Sequence, residues 1–172
     1  MRYRKLSIPP PIVLSPRDRL TKPDHGLFSM VQLNPMVVEG VSSLHISEQH
    51  SYKVQLGLGK GTNNFAELIT LKHLLHFALA HECTTIQIYG DSKITINWFN
   101  NTNHCHAHSL RNILDEVVIL KAIFNQISCQ HIYREYNESA DRLSKEATLV
   151  PRGLWMLTEQ EGVEQYQYYH CP

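Results

Sequence analysis

Residues 62–92 read TNNFAELITLKHLLHFALAHECTTIQIYGDS, and this stretch decides the fold class. Thr62, Asn63 and Asn64 are residues that cap helices, and an apolar series follows them at three- and four-residue steps: Leu68, Leu71, Leu75, Ala78 and Leu79. The spacing predicts a helix from about Asn64 to His81. Thr84 to Tyr89 then alternates and is β-branched, which predicts a short strand ending at Gly90-Asp91. From Ser92 a brief helix runs to Trp98 or Phe99.

The same logic extends outward. Upstream, Val41, Leu44 and Ile46, then Tyr52, Val54 and Leu56, flank the polar stretch Ser47 to Ser51, a candidate hairpin. Gly57, Gly59 and Gly61 interrupt any regular element after it. Downstream, Asn100 to His108 is polar and reads as a loop. Leu110, Ile113, Val117, Leu120 and Phe124 predict a helix over roughly Ser109 to Gln126, followed by a strand over Ile127 to Tyr133. Asn137 can cap a last helix carrying Ala140, Leu143 and Ala147 on one face. Alternating strands and helices imply an α/β protein, a mixed sheet covered by helices.

The chain has 172 residues, enough for one domain with a real core, and no internal repeat. Residues 27–150 are expected to form that domain. Residues 1–26 read as a disordered basic segment broken by Pro9, Pro10 and Pro11, and the Gln/Glu/Tyr-rich text at 151–172 as a tail. The prolines oppose both a secretory core and an amphipathic transit helix, so an intracellular location, nuclear or cytoplasmic, is the expectation. No apolar run approaches the roughly 18–20 residues of a membrane helix. Four scattered cysteines without a C-x-x-C pair fit reduced thiols.

Charge balances overall at 16 basic against 16 acidic side chains. Residues 1–25 hold six basic against two acidic, leaving 10 against 14 for the rest. The balance excludes a polybasic tail or anchor as the main device. A mildly acidic body that binds nucleic acid needs bound cations or locally placed bases.

Three acids stand at junctions. Glu67 is near the start of the long helix, beside its apolar stripe. Asp91 lies just past the C-terminal end of a strand, the edge where α/β sheets bind ligands. Asp141 falls in the first turn of the last helix. Taken singly, each is ordinary compensation of a helix dipole or a cap. Brought together they would repel, and a hard divalent cation would relieve the repulsion.

Three segments resemble successive motifs of the ribonuclease H family. They are Gly59-Lys-Gly-Thr-Asn-Asn-Phe-Ala-Glu67-Leu, Tyr89-Gly-Asp91-Ser92 and His131-Ile-Tyr-Arg-Glu-Tyr-Asn137-Glu-Ser-Ala-Asp141. The likeness is greatest to the plant type and to domains of retrotransposon polyproteins, and covers about Tyr52 to Leu149. It implies cleavage of the RNA strand of an RNA–DNA hybrid by in-line attack of a metal-activated water. It further implies magnesium or manganese held by Glu67, Asp91 and Asp141 as catalytic ligands. Thr62, Asn63 and Asn64 are the implied contact to ribose hydroxyls, which distinguish RNA from DNA. Ser92 and Arg134 are the remaining candidates for contact with nucleic acid, Arg134 near the leaving phosphate.

The sequence departs from the family at one place. The family's first strand carries an aspartate in an Asp-Gly motif that bridges both metals. Here the text is Leu27-Phe28-Ser29-Met30-Val31-Gln32-Leu33-Asn34-Pro35, and the position falls at Phe28 or Ser29, neither a carboxylate. This predicts an incomplete or irregular first strand and one ion rather than two. The missing ligand leaves three readings: a metal-dependent endonuclease, a degenerate nucleic-acid-binding domain of the same fold, or a mobile-element remnant that serves only as an interaction module. No feature points to a homo-oligomer. His104, Cys105, His106 and His108 lack a second Cys/His pair for zinc. Trp98 and Phe99 read as packing residues rather than a stacking platform, and Lys60, Lys72, Lys93 and Arg142 as solvated charges near the motifs.

Overall fold

The computed structural model describes residues 26–34, 37–47, 49–132 and 150–170. Seven strands form one sheet in the order β5-β4-β1-β2-β3-β6-β7. They are β1 (Gly26–Asn34), β2 (Val37–His45), β3 (His50–Gly59), β4 (Thr85–Gly90), β5 (Gln126–His131), β6 (Trp155–Glu161) and β7 (Glu164–His170). The helices are α1 (Asn63–Ala80), α2 (Lys93–Phe99) and α3 (His108–Lys121). β1, β2 and β3 pair antiparallel, while β1, β4 and β5 run parallel. The α/β class and mixed sheet are as the sequence pattern implies.

α1 forms where the apolar spacing places it. Thr62 is its N-cap, with the side-chain oxygen accepting from the Phe65 amide at 3.3 Å. The cap thus lies ahead of Asn63 and Asn64, which begin the helix. Leu71, Leu74, Leu75 and Ala78 pack with Leu44, Ile86 and Ile88 of the sheet and with Val117 and Leu120 of α3. α1 therefore lies within the main core. Gly40 of β2 permits the close approach, because a Cβ there would overlap the Thr70 hydroxyl. Leu68 joins a second cluster with Trp98, Cys105 and Leu110. Trp98 and Phe99 are both buried, so they pack as expected.

Two expectations need correction. The first strand is neither incomplete nor irregular: β1 spans nine residues and pairs without a shift from Leu27↔Leu44 to Asn34↔Val37. Its letters give no clean alternation, and its position is fixed by partners that the local pattern does not reveal. The stretch expected as a tail carries β6 and β7, with β6 paired to β3 from His50↔Glu161 to Leu56↔Trp155. Its alternating burial at Met156 and Thr158 suits a strand whose polar remainder reads like a tail. The expected helix after Asn137, with Asp141 and Arg134, lies outside the described residues, as do residues 1–25.

Candidate carboxylate cleft

The strand order reverses direction between β1 and β4, which are parallel neighbours joined in sequence through β2, β3 and α1. Such switch points leave a crevice outside the carboxyl ends of the strands. Asp91 follows β4 directly, and Ser92 caps α2, its oxygen accepting from the Thr95 amide at 3.4 Å. α1 crosses the same end with Glu67 in its second turn. A cleft lined by Glu67, Tyr89, Asp91, Ser92, Thr95 and Cys129 results.

Two acids that lie 24 positions apart in sequence thus line one cavity, while Asp141 is outside the described residues. Burial pushes the Glu67 carboxyl above its usual range; the Ser92 and Thr95 hydroxyls pull it down, and the Asp91 charge pushes it further up. Thr95 donates to Glu67 Oε2 at 2.7 Å. Cys129 is pushed up to about 12, chiefly by burial, so its thiol stays protonated and offers no thiolate to a cation. The donor set is one of hard oxygens.

β1 runs beside β4 in parallel register. Ser29 pairs with Gly90, one residue before Asp91, and so belongs to the series that runs through Ile86 and Ile88. Phe28 pairs with Tyr89 in the alternate series. Of the two positions left open by the sequence, 29 has the parity of the core-facing isoleucines, and it holds serine.

Thr62 and Asn63 are exposed and Asn64 is half-buried at the start of α1. Ser92 lies in the cleft. Lys60 and Lys93 are exposed, whereas Lys72 is paired with Glu116 of α3. Among the described residues, no group of three His, Cys, Asp or Glu side chains could hold a metal, the histidine-rich loop included. Sequence reading missed Thr95. A threonine three residues after a capping serine was the only available signal.

A protein-family model described as reverse transcriptase-like matches residues 50–147. The match starts downstream of β1. Among curated proteins, none matches the sequence significantly. Solved structures are similar in fold. RNase H1 from the halophilic archaeon Halobacterium salinarum is 20% identical over 72% of this chain and 98% of its own, with a TM-score of 0.57. LC11-RNase H1, isolated from compost and solved in complex with an RNA/DNA hybrid, is 16% identical over 72% and 96%, with a TM-score of 0.63. Prototype foamy virus protease-reverse transcriptase is 14% identical over 80% of this chain and 23% of its own, with a TM-score of 0.56.

Proposed function

This chain belongs to the reverse transcriptase-like family and carries the ribonuclease H fold; from that premise we propose that it binds RNA–DNA hybrids through a carboxylate cleft that takes a divalent cation, and that its capacity to cut the RNA strand is impaired. The observation that carries the reading is the convergence of Glu67 and Asp91 on one cleft, with Ser29 paired to Gly90, the residue before Asp91. The solved hybrid complex of a fold relative supports the substrate class.

The residues present fit one hard cation. A carboxyl raised chiefly by burial, and further by the Asp91 charge, gains from a positive ion beside it, and oxygen donors suit magnesium or manganese. Glu67 and Asp91 would hold it, with Asp141 as the proposed third ligand. A bound cation supplies charge compensation and lowers the pKa of a coordinated water. The chain's own contribution is orientation: α1 presents Glu67, the end of β4 presents Asp91, and Thr62, Asn63, Asn64 and Ser92 offer polar groups to the nucleic acid. Arg134 is the proposed phosphate partner. Serine at position 29 has no charge to share between two cations, which is why weak turnover follows.

Cleavage of a labelled RNA–DNA hybrid with magnesium or manganese tests this. The unaltered chain should cut little or not at all. Ser29→Asp should raise cutting on the order of 100-fold or more, and Phe28→Asp should not, because only position 29 has the right register. Asp91→Asn in the Ser29→Asp background should abolish the gain. Robust cutting by the unaltered chain that Asp91→Asn removes would overturn the impairment. Failure of both acid restorations would show a wider loss of the site.

A further inference from the structure

Thr95 is 5% exposed and stands in the first turn of α2, three residues after the cap Ser92. A threonine hydroxyl has one proton to give, and an ionised carboxylate can only accept. At 2.7 Å from Glu67 Oε2 that proton is committed to Glu67. The Ser92 hydroxyl, 3.1 Å from Thr95 Oγ1, is then the donor to Thr95, and its own oxygen accepts the Thr95 amide. This chain of bonds runs from Ser92 to Thr95 to Glu67, and the Ser92 hydroxyl also favours the Glu67 charge directly. It ends on one carboxylate, and Ser92 is covalently next to the other, Asp91.

We propose that Thr95 is a positioning residue which sets the spacing of Glu67 and Asp91 by holding Oε2 and leaving Oε1 to face a cation. The inference rests on the divalent-cation reading of the cleft. An apolar side chain of the same shape would keep the packing of α2 and free Glu67 Oε2 from Thr95, leaving the Ser92 hydroxyl as the remaining influence from α2. Hydroxyl partners that fix a ligating carboxylate are worth ~10–100-fold in metal affinity.

Manganese binding to the full chain, followed by electron paramagnetic resonance, separates the possibilities. Thr95→Val should weaken binding about tenfold at a temperature where both chains are fully folded, and Thr95→Ser, which keeps the hydroxyl, should restore most of it. Adding Thr95→Val to Glu67→Gln should cost little more than Glu67→Gln alone, since the hydroxyl acts through that carboxylate. Equal manganese affinity in the unaltered chain and Thr95→Val would overturn the proposal, as would a full additional loss in the double variant. No manganese binding by the unaltered chain, or none lost on Glu67→Gln, would instead refute the cation reading itself, and the inference with it.

Discussion

Glu67 is pulled in opposite directions by its surroundings. Burial and Asp91 favour its proton, while Thr95 and Ser92 favour its charge, and the first influence is the largest. A carboxyl raised in the folded state adds stability below its unfolded value, 4.5, and that stability is lost as pH rises through the folded value. At neutral pH the ionised side chain therefore opposes folding. Glu67→Gln should raise Tm at pH 7 in chelator, by about 2–4 °C for each kcal/mol relieved in a chain of this size. The advantage should vanish near pH 4, where the unaltered carboxyl is also neutral. Calorimetry showing Glu67→Gln less stable at pH 7 would contradict this account. The meeting of Glu67 and Asp91 was implied by the resemblance of their two segments to ribonuclease H motifs, whereas their junction positions alone read as ordinary caps or dipole compensation. Thr95 was not legible, because its partner lies 28 positions away and a buried threonine has many uses. The choice between positions 28 and 29 also escaped the sequence, since it depends on pairing of β1 with β4, a contact that no local pattern encodes.

Elements with a strong period were legible and elements held by distant partners were not. α1 and α3 follow from apolar stripes of 3.6-residue period, and β2, β3, β4 and β5 from short runs between turn residues. The hairpin of β6 and β7 was hidden by its composition, because a strand that adds to a sheet edge can keep polar side chains on one face. What the sequence did contain was a glycine that makes room for it. The chain returns to β3 across Gly57, where a Cβ would overlap the carbonyl oxygens of Val150 and Pro151. Gly57 also exchanges backbone hydrogen bonds with Leu154 and Gly153 at 3.0 and 2.9 Å. Gly57→Ala should therefore shift backbone at the start of β6 and cost about 1–3 kcal/mol. Urea unfolding is the measurement, and an unchanged midpoint would show that the return path is not fixed there. The end of β4 that carries Asp91 is three strand positions from β3, and the cleft should keep its cation affinity if the variant folds.

Across the whole molecule the question is how an acidic body approaches a polyanion. Residues 26–172 carry 14 acidic against 10 basic side chains. Their placement matters more than their number. Glu159, Glu161 and Glu164 belong to the hairpin, and β6 is separated from β4 by β1, β2 and β3, or roughly 19 Å at the usual strand spacing. Charges at that separation are largely screened at physiological ionic strength, where the Debye length is about 8 Å. Glu67 and Asp91 are different, since a hybrid seated at the cleft would meet them directly. Binding should therefore be weak in chelator and strengthen in excess magnesium, because the cation offsets the two charges nearest the phosphates. Gel-shift titration at fixed ionic strength measures this. The Asp91→Asn chain should bind better than the unaltered one in chelator and gain less from magnesium, since it carries one charge fewer at the cleft. Replacing the hairpin glutamates with glutamine should alter affinity at low salt and leave it nearly unchanged at physiological salt. Equal binding by the unaltered chain with and without magnesium would rule out a cation at the cleft as the bridge to the hybrid.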